Sequence, residues 1–185
     1  MMIEVKVEGL FLTQSQASGV ILKEIEGERT LPIVIGDFEA QSIALGLENI
    51  EAPRPITHDL IIRMLDTLKA GILKIEITAL KQNTFYALIY LEDSTGLIFE
   101  IDARPSDAIA LAVRLDLPLF VEDSVFEKGG YAPNQVQYYH PQQKGKSIKD
   151  RLAELEEQLK KAIDEEKYEL AAKLQEQIRQ IKNTG

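Results

Sequence analysis

The residues best suited to chemistry lie at one junction, between a strand-like apolar run and an apolar helix. Asp102 ends the run, and Arg104, Ser106 and Asp107 follow it closely. Pro105 suits the first turn of a helix, where its missing N–H costs nothing, and Ser106 or Asp107 can accept bonds from free N–H groups there. Carboxylates bind divalent cations and arginine contacts phosphate, so this junction is the first candidate site.

Charge and composition limit the kinds of function to be considered. The chain has 185 residues, 45% of them hydrophobic, which is enough for one domain with a core and an appendage. The net charge is −9, and residues 1–146 carry 13 basic and 21 acidic side chains. An acidic domain repels a phosphate backbone, which disfavours tight nonspecific binding to nucleic acid. A metal-dependent site is compatible with this charge, because carboxylates would hold the cation.

Three absences in the sequence bear on where the protein works. No apolar run reaches the roughly 18 to 20 residues that a transmembrane helix needs. The N-terminus has no basic-then-apolar signal region, and there is no cysteine for disulfides or thiolate chemistry. These features predict a cytoplasmic protein that makes no contact with a membrane.

Alternating and apolar runs in residues 1–127 predict six or seven strands and three helices. The predicted strands cover residues 2–12, 19–26, 29–35, 72–81, 84–92, 96–102 and 119–121, and the predicted helices cover about 37–47, 57–70 and 105–116. Consecutive strands are joined by hairpin turns instead of alternating strictly with helices. The pattern therefore predicts an α+β fold with an antiparallel or mixed sheet.

Apolar periodicity also predicts which surfaces of these elements are buried. The helix that begins at Thr57, its predicted N-cap, has a stripe expected to face the core, formed by Leu60, Ile61, Met64, Leu65 and Leu68. The first helix is expected to bury Phe38, and the third helix to be buried all round. The strand at 84–92 is apolar on both faces from Phe85 to Tyr90, so it is expected to be covered on both sides.

The C-terminal part of the chain differs in character from residues 1–127. Residues 128–146 contain glycines, prolines and glutamines without strong apolar periodicity, which indicates a linker or a docked arm. Residues 147–185 show apolar positions at alternating spacings of four and three, interrupted by an acidic turn. This pattern predicts an antiparallel helical hairpin that binds a protein partner or self-associates, and hence a homo-oligomer.

Three blocks of sequence resemble the bifunctional nuclease domain family over residues 1 to about 127. They are residues 31–45, which begin LPIVIGDFEA, residues 53–60, PRPITHDL, and residues 101–111, IDARPSDAIAL. The resemblance implies nuclease activity on DNA or RNA, including single strands. Residues 149–182 resemble the UvrB/UvrC helical-hairpin motif, with Tyr168 where family members more often have phenylalanine.

The three blocks contain the side-chain types that metal-assisted hydrolysis of a phosphodiester needs. If the blocks converge, Asp102 with Glu39 or Asp107 could hold Mg²⁺ or Mn²⁺. His58 could act as a base, and Arg54 or Arg104, beside Asp107, could contact phosphate. The catalytic hypothesis therefore rests on His58, Arg54, Arg104 and Asp107, and the metal hypothesis on Asp102, Glu39 and Asp107.

Two other interpretations of the same residues stay open at this stage. The acids and hydroxyls of the blocks stand where helix caps are expected, and the arginines can pair with acids to hold loops together. The domain would then be a non-enzymatic regulatory, adaptor or oligomerisation protein that binds a protein partner or a small ligand. Such a protein would need no cofactor.

Overall fold

The computed structural model describes residues 1–13, 15–50 and 52–130 together with the short strand Tyr138–Tyr139. The strands are β1 (Met2–Leu12), β2 (Ser18–Glu24), β3 (Thr30–Val34), β4 (Gly71–Lys81), β5 (Thr84–Glu92), β6 (Ile98–Ala103), β7 (Leu119–Glu122) and β8 (Tyr138–Tyr139). The helices are α1 (Asp37–Leu47), α2 (Thr57–Leu68), α3 (Pro105–Leu115) and α4 (Asp123–Gly129). The predicted hairpin at 147–185 lies outside the described residues.

The strands form one mixed sheet in the order β3-β2-β1-β7-β4-β5-β6, and β8 pairs with the end of β1. Two antiparallel meanders, β1 to β3 and β4 to β6, are joined by β7, which lies antiparallel to β1 and parallel to β4. The predicted α+β class is thus confirmed. The structure contains a fourth helix, α4, that was not predicted, because seven residues are too few to show a helical period.

The core lies between the sheet and the pair of helices α1 and α3. Ile75, Ile77 and Ala87 of the sheet are fully buried, as are Ala108 and Ile109 of α3. The two helices approach closely at Gly46, where an added Cβ would lie 2.5 Å from Cγ2 of Val113. The N-terminal turns of the two helices are also neighbours, because Arg104 forms ion pairs with acids on both.

The prediction that α2 buries its leucine-rich stripe is wrong. Leu60, Met64 and Leu68 are 52%, 56% and 68% exposed, and Ile61 is exposed as well. The helix instead packs through a narrow side, with His58 buried and Ile62 and Leu65 against the core. Periodicity identifies residues that share a face, but it does not determine which face meets the core.

Two smaller predictions about helices are also corrected. Phe38 is 86% exposed at the start of α1, because that helix meets the core through Ala40 and Ile43. The N-cap of α2 is Ile56 and not Thr57, and the Ile56 N–H donates to the Asp59 carboxylate at 3.2 Å. The N-terminus of α2 is thus capped by Asp59, an acid within its own first turn.

Among the described residues, helices cover only one face of β5, contrary to the prediction for residues 84–92. Ala87 and Ile89 face the core, whereas Tyr86 is 40% exposed on the opposite face. On that face the Tyr90 hydroxyl donates to Glu76 at 2.8 Å, and Lys74 contacts both side chains. Apolar aromatic rings are therefore compatible with a face that carries polar partners.

The two edges of the sheet are built differently. The edge strand β3 contains Pro32, whereas β6 contains no proline and exposes Ile98, Phe99 and Ile101. In the described part of the chain, no helix has the length and apolar character needed to span a lipid bilayer.

Candidate functional site

The close approach of α1 and α3 brings together three of the predicted site residues. Arg104 precedes Pro105, the first residue of α3, and its guanidinium bridges acids on two helices. It donates to Asp107 through Nε at 2.7 Å and Nη2 at 3.0 Å, and to Glu39 of α1 through Nη1 at 3.1 Å. Block 31–45 and block 101–111 therefore converge.

The Arg104 guanidinium is held firmly but stays open to solvent. Its side chain is 66% exposed, whereas those of Asp107 and Glu39 are 34% and 23% exposed. The hydrogen bonds to Asp107, with the charges of both carboxylates, raise the pKa of Arg104 above its usual value. The site thus presents a permanently charged planar cation to solvent.

His58 joins the second block to the same cluster from α2. Its Nδ1 lies 2.8 Å from the Ser42 hydroxyl, and its Nε2 lies 3.5 Å from Asp107 Oδ1. The imidazole is buried, because it fills the space between α1 and α3. All three blocks therefore meet around Asp107.

Arg114 anchors this arrangement from the last turn of α3. Its guanidinium donates to Asp59 through Nε at 2.8 Å, to Ser42 through Nη2 at 3.2 Å and to the Ala110 carbonyl at 2.7 Å. Burial opposes ionisation of Asp59, but the bonds from Arg114 and the Ile56 N–H outweigh it and lower the Asp59 pKa. Asp107 and Arg114, which lie in the first and last turns of α3, thus pair with different partners.

The hydrogen bonds favour one tautomer of His58. Arginine can only donate, so Ser42 accepts from Arg114 and is able to donate its own proton to Nδ1 of His58. We assign the ring proton to Nε2, where it faces the Asp107 carboxylate. Burial and the Arg114 charge lower the pKa of His58, although Asp107 and Asp59 oppose them. His58 is therefore a neutral donor toward Asp107.

The other predicted site residues lie apart from this cluster. Asp102 is exposed, and strand alternation places it on the face opposite Ala103, whose partner Ala87 is in the core. Arg54 is exposed in the loop before α2 and, within the described ranges, forms no ion pair. Ser106 is buried in the first turn of α3.

The arrangement of acids bears on the metal hypothesis. Among the residues that the structure describes, no group of three or more histidines and carboxylates is placed to hold a metal ion. Glu39 and Asp107 share the Arg104 guanidinium, which neutralises the charge that a divalent cation would need. The residues as arranged do not fit a ready-made metal site, and metal ligation by Asp102, Glu39 and Asp107 stays a prediction.

Ser42 is the member of the cluster that sequence reasoning missed. It is a buried polar residue in α1, directly before residues 43–47, none of which has a polar side chain. Burial of a serine hydroxyl requires a hydrogen-bond partner. Its partners, His58 and Arg114, are 16 and 72 residues away, so no spacing rule could identify them.

Comparison with known proteins gives the family of this domain. The model of the bifunctional nuclease domain matches residues 20–134, and the model of the UvrB/uvrC motif matches residues 149–184. An uncharacterized protein of Mycobacterium tuberculosis is 39% identical over 128 residues, which cover 69% of this chain and 76% of that protein.

Plant proteins match more weakly over part of their length. Bifunctional nuclease 1 of Oryza sativa subsp. indica is 26% identical over 117 residues, covering 60% of this chain and 34% of the plant protein. Bifunctional nuclease 1 of Arabidopsis thaliana is 23% identical over 181 residues, covering 88% and 56%. On the match to residues 20–134 and the mycobacterial relative, the chain belongs to the bifunctional nuclease domain family.

Proposed function

We propose that this domain is a nuclease that hydrolyses phosphodiester bonds of DNA or RNA at the cluster around Arg104. The observation that carries the proposal is the exposed guanidinium of Arg104, fixed by Glu39 and Asp107 where the three sequence blocks converge. The names of the plant relatives support a nucleic-acid substrate.

Arg104 is the group that contacts the scissile phosphate. Guanidinium groups bind phosphate oxygens through two parallel N–H bonds and stabilise the extra negative charge of the transition state. A guanidinium that two acids already hold in place loses little conformational freedom when phosphate binds. The negative charges of Glu39 and Asp107 weaken the attraction of Arg104 for phosphate. This is compatible with a site that binds its substrate transiently.

Glu39 is the carboxylate that orients the attacking water. One of its oxygens accepts from Arg104, and the other lies over Gly36, where an added Cβ would meet it at 2.2 Å. A water bound to this side chain would lie beside a phosphate held by Arg104, so that the carboxylate could accept its proton.

His58 serves as a positioning residue in this proposal and not as the base. Its Nδ1 accepts from Ser42 and its Nε2 proton faces Asp107, so neither nitrogen is free to take a proton from water. Asp107 also accepts hydrogen bonds from Arg104. The position of His58 therefore affects the position of the Arg104 guanidinium through Asp107. This assignment replaces the general-base role suggested by the sequence.

The test is an assay of the full chain on single-stranded DNA and RNA, with Mg²⁺, Mn²⁺ or a chelator present. Arg104→Gln is expected to lower hydrolysis about 10²-fold, because the removal of one transition-state donor has this effect in other enzymes. The matched control is Arg63→Gln, which makes the same change at an exposed arginine of α2. Full activity of Arg104→Gln would overturn the proposal, and the chelator shows whether Mg²⁺ or Mn²⁺ is required.

A second function, as a non-enzymatic adaptor, is favoured by the exposed stripe of α2. Leu60, Met64 and Leu68 form a row at a spacing of four residues, which is suited to a partner helix. Binding of a protein partner by residues 147–185 belongs to the same proposal, as does a cytoplasmic location. If the wild-type chain hydrolyses neither substrate under any metal condition, the adaptor function replaces the nuclease.

A further inference from the structure

The strand β6 forms an open edge of the sheet and carries large apolar side chains on both faces. Ile98 is 58% exposed, and Phe99 and Ile101 are 46% and 43% exposed on the opposite face. An edge strand with free N–H and C=O groups and apolar side chains pairs readily with another strand. Within residues 1–130 and the strand β8, as described, no further strand lies beyond β6.

We propose that β6 pairs antiparallel with β6 of a second copy of this chain, about a twofold axis that passes through Phe99. The pairing would join the two sheets into one continuous sheet across the axis. The side chains on both faces of β6 would then be partly covered by those of the partner strand. This inference does not depend on the nuclease proposal.

The hydrogen bonds between β5 and β6 limit the possible registers. Asp93 N–H donates to the Leu97 carbonyl at 3.0 Å, so alternation along the strand directs the backbone groups of Phe99 and Ile101 toward β5. Ile98 and Glu100 therefore direct theirs outward. An antiparallel partner must place outward residues opposite outward residues, which requires the twofold axis to pass through a residue and not between two.

The acidic side chains of β6 disfavour the registers centred on Glu100 and Ile101, whereas an axis at Ile98 would place all other β6 residues opposite the turn at residues 93–97. An axis at Glu100 places two glutamates directly opposite each other, and an axis at Ile101 places Glu100 opposite Asp102. Both registers oppose like charges and are destabilised. An axis at Phe99 places Ile98 opposite Glu100 and the two Phe99 rings opposite each other, which is a favourable aromatic pair.

A second copy fits this edge better than an unrelated strand for the same reason. In the register centred on Phe99, Glu100 meets the apolar Ile98, and the outward N–H and carbonyl groups of Ile98 and Glu100 pair with those of Glu100 and Ile98 of the other strand. The surface is thus complementary to itself under a twofold rotation, and no additional protein is required.

The lack of cysteine in the chain allows a direct test by disulfide cross-linking. Phe99→Cys is expected to form a disulfide-linked dimer under mild oxidation, because opposed residues of a non-hydrogen-bonded pair have Cα atoms about 4.5 Å apart. Ile101→Cys is the matched control on the same face. Its two copies would be displaced by four residues, about 13 Å, which is too far for a disulfide.

The outcomes distinguish the proposed register from other registers, and pairing at β6 from dimerisation elsewhere in the chain. Rapid cross-linking of Phe99→Cys alone, with a dimeric mass of the wild-type full chain in sedimentation, would establish the proposal. Equal cross-linking of Ile101→Cys, or a Phe99→Cys protein that forms no disulfide-linked dimer under oxidation, would overturn it. A dimer held only through residues 147–185 would leave Phe99→Cys without a cross-link.

A second variant tests the role of the backbone groups. Glu100→Pro removes an outward N–H from the edge, where proline is tolerated because β5 does not use that group. It is expected to raise the dimer dissociation constant at least about tenfold relative to Glu100→Gln, which removes the charge alone. An unchanged dissociation constant would contradict strand pairing at this edge.

Discussion

His58 is neutral because it is buried and lies near the positive charge of Arg114. Burial and the nearby Arg114 lower its pKa below the ordinary value of 6.5, against the opposing effect of Asp107 and Asp59. The unfolded chain takes up a proton near pH 6.5, whereas the folded domain takes it up only at lower pH. Between these two values the unfolded state binds more protons, so acid favours unfolding.

The free energy of unfolding is therefore expected to be constant above about pH 6.5 and to fall as the pH drops toward the lowered folded pKa of His58. The slope cannot exceed about 1.4 kcal/mol per pH unit, since one proton is involved. Urea unfolding across this range measures it. His58→Gln should remove the slope and His140→Gln should retain it, whereas the opposite result would place the titration elsewhere.

At the scale of elements, the packing of α1 on α3 depends on a residue without a side chain. Gly46 lies in α1, and an added Cβ would lie 2.5 Å from Val113 and 3.2 Å from Arg114 Nη1. Both neighbours belong to α3, and Arg114 also holds Ser42 and Asp59. The separation of these two helices is therefore linked to the geometry of the cluster.

Gly46→Ala is expected to destabilise the domain by about 1–3 kcal/mol, because overpacking outweighs the gain of up to about 1 kcal/mol in helix propensity. Denaturant unfolding gives the value. The control is Gly9→Ala in β1, where an added Cβ meets no atom within 4 Å. A Gly46→Ala protein as stable as the wild type would show that the two helices can separate without cost.

The sequence predicted the elements better than their packing. The strands β1 to β7 and the helices α1 to α3 were expected near their observed positions, because turns and apolar periods are local signals. The orientation of α2 was not predictable, since its stripe looks like a core stripe but faces outward. Which face of α2 is buried depends on the few residues that fill the groove between α1 and α3, above all His58.

The candidate site was likewise predictable from the sequence only in part. The convergence of Glu39, Arg104 and Asp107 was a condition of the catalytic hypothesis, because each stands at a strand-to-helix junction of a recognisable block. The pairing of Arg114 with Asp59, 55 residues away, and the role of Ser42 depend on tertiary contacts. Asp102, predicted as a metal ligand, lies on the other face of the sheet, where strand alternation alone decides its direction.

At the scale of the whole molecule, the acidic surface bears on how the protein meets a polyanion. The net charge of −9 gives no long-range attraction for nucleic acid, so binding must rely on local contacts such as Arg104. Each phosphate neutralised on a single strand contributes about −0.7 to the slope of log affinity against log salt concentration.

The slope for single-stranded DNA is expected to be shallower than about −1.5, which corresponds to one or two phosphate contacts. Fluorescence anisotropy over a series of salt concentrations measures it. Arg104→Gln should bring the slope closer to zero by about 0.7, while Arg63→Gln should leave it unchanged. A steep slope in the wild type would indicate a basic surface elsewhere in the chain.

The contrast between the two sheet edges has a consequence for assembly. Ile35 N–H donates to the Ser18 carbonyl at 2.9 Å, so alternation along β3 turns the nitrogen of Pro32 outward, where it has no hydrogen to donate. In the language of polymer chemistry, each copy then has a functionality of one for strand pairing. Monomers with a single reactive end cannot form chains, however concentrated they become. Extension of the sheet through β6 therefore ends at two copies, and an exposed apolar edge need not lead to fibres.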